Sequence, residues 1–316
     1  MASRHLADPG PRFDRKIPPS GYAWWYLDGW SEDGRHGLTI IAFVGSVFSP
    51  YYALARRRGP ADPENHCALN VALYGPGGRW SMTERGRRRI RREPNRFVIG
   101  PSELVWDDSG LTIRFEEICA PIPKRLKGEV RVSFGPVLSR AFAIDGEGRH
   151  EWRPIAPMAE LEVRCESPAL NWRGDGYLDF NEGSEPLETA FSKWIWGRAR
   201  TRDGALVLYD VARRRGAPLS LGIAIDGEGR FSSVPAPPVA ASPRLLWGMP
   251  RLVWRDAGTV HRIEAKLEDA PFYSRSRIAT TIGGEEVSLM HESLSLDRFG
   301  MPVVQAMLPF RMPRRG

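Results

Sequence analysis

Three observations predict an all-β fold for this 316-residue chain. Strand-length apolar runs recur along it, 32 glycines and 27 prolines punctuate it, and long windows with an apolar 3.6-residue period are scarce. Several runs alternate, with Leu111, Ile113 and Phe115 in one and Val130, Val132 and Phe134 in another, as a strand with one buried face requires.

In chain order the clearest runs cover residues 37–48, 67–75, 96–100, 111–118, 128–134 and 159–165. In the second half they cover 205–212, 219–225, 251–256, 261–269 and 286–299. Between them lie hairpin-type turn sequences: PGG at 76–78, DDSG at 107–110, DGEG at 145–148 and RDG at 202–204. The heptapeptide AIDGEGR occurs at 143–149 and again at 224–230. Convergence on a good hairpin turn explains much of that echo, and two similar β-domains in tandem explain it too. About twenty strands suit two barrels better than one. The expected domains are 1–160 and 161–316, with the boundary near "RPIAPMAE". The segment "SSVPAPPVAASP" at 232–243 reads as a loop inside the second domain.

The charge is +7 and the pI about 9.6, which favours anionic partners. Much of the charge sits in "ERGRRRIRREPNR" at 84–96, with shorter arginine runs at 56–58 and 213–215. No nucleic-acid-binding signature accompanies these runs, so the reading is either a solvated arginine face or contacts to anionic lipid headgroups. Cys67, Cys119 and Cys165 are scattered and odd in number, which fits a reducing compartment. The first twenty residues lack an apolar signal-peptide core, and "LTIIAFVGSVF" is too short to span a bilayer. The expectation is a cytoplasmic protein that is at most peripheral to a membrane.

Familiar catalytic motifs are missing. There is no GxSxG elbow, no HExxH and no phosphate-binding glycine loop before a helix, and the six histidines show no metal-ligand spacing. What stands out is His150 and Trp152 in "RHEWRP" and Tyr177 and Asp179 in "GYLDFNEG". Both pairs have i, i+2 spacing, so on strands each pair shares a face. A satisfied histidine at a strand end and an acid in a turn would look the same. A functional reading is also available. An acid desolvated among aromatics stays protonated and can act as a general acid. Protonating an alkene leaves a carbocation, which aromatic faces stabilise. A histidine can hold the attacking water. Those parts describe an acid-catalysed alkene hydratase without a cofactor.

The blocks "GYAWWYLDGWSEDGRHGLTIIAFVGSVFSPYYALARRRG", "WSMTERG", "GYLDFNEGSEPLE" and "ESLSLDRF" resemble the carotenoid 1,2-hydratases, or hydroxyneurosporene synthases, of phototrophic bacteria. The resemblance implies two lipocalin-like β-domains and hydration of the terminal C1=C2 bond of acyclic carotenoids such as neurosporene and lycopene. It implies catalytic roles for the H-x-W and Y-x-D pairs, here His150–Trp152 and Tyr177–Asp179. Asp179 would donate the proton, with Tyr177 as its neighbour, Trp152 at the cation and His150 at the water. Glu182 and Asp175 are the next candidate acids. A polyene also needs an apolar tunnel. Candidate lining residues are Trp24, Trp25, Tyr26, Phe48, Tyr51 and Tyr52, together with Trp194, Trp196, Phe272 and Tyr273, although any one of them could be core packing. The substrate must come from lipid, so the expected location is the surface of the inner photosynthetic membrane. The basic run and the apolar–aromatic "VFSPYY" are its candidate seat. Two rival readings remain: a non-catalytic polyene or lipid carrier, and a polyene cyclase of the same fold.

Overall fold

A computed structural model describes residues 3–6 and 10–316. The all-β class holds, in the form of curled antiparallel sheets. The chain divides into two compact units: residues up to 143, 147–186 and 306–316 form the first, and 144–146 with 187–305 the second.

The first unit contains β1 (Ser3–His5), β2 (Tyr22–Ser31), β3 (Gly37–Val44), β4 (Cys67–Tyr74), β5 (Arg79–Arg85), β6 (Ile90–Glu93) and β7 (Arg96–Ile99). It continues with β8 (Ser102–Asp107), β9 (Gly110–Ile118), β10 (Arg125–Phe134), β11 (Arg140–Ala143), β12 (His150–Ser167) and β13 (Leu170–Gly183). Their order in the sheet is β5-β4-β3-β2-β13-β12-β10-β9-β8-β7-β6, with β11 beside β12 and β1 beside β11. Arg314–Arg315 runs parallel to β5 at one edge. The sheet curls until its distant strands meet. Phe97 on β7 packs against Trp25 on β2 with ring centroids 5.7 Å apart, and buried Arg85 on β5 donates to Glu117 on β9 at 2.7 Å.

Inward side chains of this sheet, among them Trp25, Leu27, Ile113, Val130, Leu161 and Phe180, make one core cluster. Each such side chain contributes about 1.5–3 kcal/mol by leaving water. β12 is continuous from His150 to Ser167, through residues 160 and 161. It pairs with β10 on one side and β13 on the other.

The second unit holds β14 (Phe191–Thr201), β15 (Gly204–Arg213), β16 (Leu219–Asp226), β17 (Phe231–Val234), β18 (Val239–Ser242), β19 (Arg251–Trp254), β20 (Arg262–Asp269), β21 (Tyr273–Ile282) and β22 (Glu285–Ser295). Seven of them form the sheet β17-β16-β15-β14-β22-β21-β20, and β18 pairs with β19. Ala199, Leu206, Leu208, Trp254, Val287 and Leu289 are its core. The proline-rich segment 232–243 is less loop-like than expected, because β18 and the end of β17 lie within it. The apolar run at 286–299 ends as a strand at Ser295, whose hydroxyl accepts from Arg298 N at 3.3 Å and turns the chain into a short helix. Both AIDGEGR copies link antiparallel strands, and Gly148 (φ +70°) and Gly229 (φ +81°) supply the same left-handed step.

Candidate active site

Four rows of side chains build the site on one face shared by β12, β13 and β2. Register puts Tyr22, Gly183 and His150 in the first row, and Trp24, Asn181 and Trp152 in the second. Tyr26, Asp179 and Pro154 form the third, and Asp28 and Tyr177 the fourth. Successive rows step by two residues, so all of them point the same way. The intervening residues Ala23, Trp25, Leu27, Leu178 and Phe180 point to the opposite face and into the core cluster.

Asp179 is 2% exposed. Its Oδ2 accepts from Trp152 Nε1 at 2.8 Å and from Tyr177 OH at 2.9 Å, and its Oδ1 accepts from Asn181 Nδ2 at 3.3 Å. The two i, i+2 pairs thus converge on one carboxyl, carried by adjacent strands. Burial opposes a charge there and the donors favour it, so the group is held at a fixed place with a hydrogen-bond geometry suited to giving or taking a proton. Trp152 is fully buried, and its ring lies 5.4 Å from that of Phe142.

His150 occupies the first row, two rows from Asp179. Its Nδ1 is 2.8 Å from Tyr22 OH, and its Nε2 is 3.4 Å from Glu185 Oε1. The closing glycine of "GYLDFNEG" makes this arrangement possible. A Cβ at Gly183 would lie 2.5 Å from the Tyr22 ring and 2.6 Å from His150 Nδ1. Tyr22 in turn stacks on Trp24 at 5.0 Å.

The remaining expected site residues are spread over both units. Trp24 is half-buried in the second row, whereas Trp25 faces the core, packs on Phe13, Phe97 and Phe180, and donates to Pro11 O at 3.0 Å. Tyr26 is buried, and its hydroxyl donates to Asp28. Phe48 lies 6.0 Å from Phe43, Tyr51 is half-buried, and Tyr52 is fully buried with its hydroxyl on Gly21 O at 2.7 Å. Ser49 caps the helix Pro50–Arg57, so that within "VFSPYY" Val47, Ser49 and Tyr52 are buried while Phe48, Pro50 and Tyr51 are half-buried. Trp194, Trp196, Phe272 and Tyr273 belong to the second unit; Trp194 packs on Phe191 and Tyr209, Trp196 is buried, Phe272 packs on Phe299, and Arg275 lies over the Tyr273 ring at 5.3 Å. That unit also has a cavity of about 570 Å³, lined by Leu206, Leu208, Val234, Pro237 and Ile282 among others; none of the expected site residues lines it. Of the alternative acids, Glu182 has its carboxylate paired with Arg15, and Asp175 stands partly exposed opposite Trp30.

The basic run is largely neutralised at home. Arg85 pairs with Glu117, Arg87 with Asp62 and Glu64, Arg92 with Glu64 and Arg96 with Glu103, leaving Arg88, Arg89 and Arg91 exposed, with Arg89 donating to Gly316 O at 3.1 Å. Among the described residues, no helix is long and apolar enough to cross a membrane.

Residues 40–316 match the family described as carotenoid hydratase CrtC. The chain belongs to this family. An acyclic carotenoid 1,2-hydratase of Thiocapsa roseopersicina is 55% identical over 309 residues, covering 97% of this chain and 76% of the relative. One of Rubrivivax gelatinosus is 49% identical over 311 residues, covering 96% and 76%. The crystal structure of a candidate AttH protein from Nitrosomonas europaea superposes with a TM-score of 0.59 at 16% identity, covering 92% of this chain and 97% of that one. That likeness concerns the fold, which is of the lipocalin-like kind expected. Sequence reading overlooked Asp28, although "YLDG" at 26–29 repeats "YLDF" at 177–180. It also overlooked Tyr22 and Glu185, the partners of His150.

Proposed function

We propose that the protein adds water across the terminal C1=C2 bond of an acyclic carotenoid, giving a tertiary 1-hydroxy carotenoid with no cofactor. Neurosporene, lycopene and their derivatives are the candidate substrates. The supporting observation is the buried Asp179 carboxyl held by Trp152 and Tyr177. Asp179 gives its proton to C2, and a C2–H bond forms from the π pair. The tertiary cation left at C1 is sheltered by the aromatic groups of the face; a lone pair of water then bonds to C1, and one water proton passes to a carboxylate of the same face, leaving the neutral tertiary alcohol. Tyr177 and Trp152 orient the carboxyl. His150, whose ring nitrogens already face Tyr22 and Glu185, orients that end of the face.

Incubation with lycopene in detergent or liposomes, in ¹⁸O-labelled water without added cofactor, tests this. The expected product gains one water and carries the label at a tertiary alcohol. Recovery of the unchanged polyene supports a carrier instead, and a product of unchanged mass supports a cyclase. Peripheral membrane docking belongs to the same proposal, since the substrate is delivered from lipid. Arg88, Arg89 and Arg91 are its electrostatic contribution, and flotation should be stronger with anionic than with neutral liposomes. Equal flotation would remove that contribution.

A further inference from the structure

Tyr26-Leu27-Asp28 on β2 repeats Tyr177-Leu178-Asp179 on β13, and the two triplets lie side by side. The strands are antiparallel, with Tyr26 opposite Asp179, Leu27 opposite Leu178 and Asp28 opposite Tyr177. A local twofold therefore relates them. Each acid accepts from its own tyrosine: Tyr26 OH to Asp28 Oδ2 at 2.8 Å, and Tyr177 OH to Asp179 Oδ2 at 2.9 Å. The two phenol rings meet edge to face at 6.3 Å. Asp28 is 0% exposed. A second carboxylate buried on this face is costly unless chemistry retains it, because an apolar residue of similar size would fill a strand at no such cost. Diagonal neighbours on paired strands have Cα atoms about 7–8 Å apart, which places Asp28 near Asp179. His150 is about 13 Å further along the strand direction, at four residues of about 3.3 Å each.

We propose that Asp28 is the base of the hydration, an inference that rests on the hydratase reading above. In this cycle Asp179 starts with the proton and Asp28 as the carboxylate, the two standing diagonally across paired strands. The Asp179 proton forms the C2–H bond. A lone pair of water forms the C1–O bond, and the water proton passes to the Asp28 carboxylate. Asp179 is then the carboxylate and Asp28 the acid. The next water bound between them carries one proton back and restores the start.

Asp28→Asn, Asp179→Asn and the unaltered protein, each incubated with lycopene in deuterated water, separate the two roles. The unaltered protein should give alcohol with deuterium at C2. Asp28→Asn should lose about 100-fold or more of hydration, the usual scale of a general base. It should still place deuterium in the recovered carotenoid, because protonation of C2 and its reversal need only Asp179. Asp179→Asn should do neither. Hydration by Asp28→Asn within about threefold of normal would overturn the proposal, and so would joint loss of hydration and exchange in a folded Asp28→Asn. If that variant does not fold, Tyr26→Phe removes only the hydroxyl on Asp28; it should raise the ratio of exchange to hydration, and an unchanged ratio overturns the proposal. Absence of alcohol from the unaltered protein would sink the hydratase reading itself.

Discussion

Trp152 and Asp179 in the first unit are bonded as Trp254 and Asp210 are in the second: an indole N–H donates to a carboxylate, at 2.8 Å and 3.0 Å. Each tryptophan is fully buried and each has a histidine in its neighbourhood. The surroundings differ. Asp179 also accepts from Tyr177 and Asn181, and it shares its face with Tyr26 and Asp28. Asp210 is half-buried, and its Oδ1 has no hydrogen-bond partner among the described residues. Trp254 packs among Leu206, Leu208 and Leu289, and His291 donates from Nε2 to Leu252 O at 2.7 Å. An indole holding a carboxylate is therefore a packing device that either unit can use. Phenol donors and a second acid on the same dry face are what make one of the two pairs a candidate for proton transfer.

Paired substitutions test that distinction, and the carboxylates carry the largest expected effect. Asp179→Asn should cut hydration by about 10²–10⁴-fold while circular dichroism stays unchanged, because an amide has no acidic proton to deliver. Asp210→Asn should leave turnover within a few-fold of normal. Near-normal turnover by Asp179→Asn would move the acid elsewhere.

The indoles come next. Trp152→Phe removes one of the donors that fix Asp179, and turnover should fall at least about tenfold. Trp254→Phe should cost about 1–3 kcal/mol of stability, as a lost buried hydrogen bond to a carboxylate does, with turnover largely kept. Equal activity losses from the two would erase the contrast. A smaller effect is expected of Gly183→Ala. Its new Cβ would strike Tyr22 and His150 and so displace the first row while leaving every atom of Asp179 in place. A loss of about tenfold or less is expected, well short of Asp179→Asn, since only positioning is disturbed.

What could be seen in the sequence follows the range of the interactions. Alternation in 111–115 and 130–134 reveals β9 and β10 because one face of each is apolar and the other wet. β2 hides from that test, since both its faces are buried and aromatic, Trp25 toward the core and Trp24 and Tyr26 away from it. The spacing within His150–Trp152 and Tyr177–Asp179 is local, and so is the shared face it implies. That β12 and β13 are neighbours, that β2 lies on the other side of β13, and that Asp28 thereby reaches the same face are facts of long-range pairing. The arginine run is a similar case: Asp62, Glu64, Glu103 and Glu117 neutralise it from strands and turns that no local window includes.

The last expected effect concerns stability in the second unit and vanishes at neutral pH. Burial pushes the His291 imidazole down to about 3 from its ordinary 6.5, and the nearby Arg251 and His261 push the same way. The unfolded chain therefore binds a proton between those values that the folded chain refuses. The contribution of neutral His291 is complete above pH 6.5 and is lost as the pH falls toward 3, at up to about 1.4 kcal/mol per pH unit. His291→Gln keeps a donor for Leu252 O and cannot titrate. Urea unfolding of this variant at pH 7, 5 and 4 should show a shallower loss of stability than the unaltered protein, by up to one proton's worth of slope. Identical slopes would mean that another group controls the acid limb. His150, whose Nδ1 faces a tyrosine hydroxyl and whose Nε2 faces a carboxylate, has the polar partners that His291 lacks at Nδ1. That difference again divides the two units, one histidine wired into a polar face and the other sealed neutral in a core.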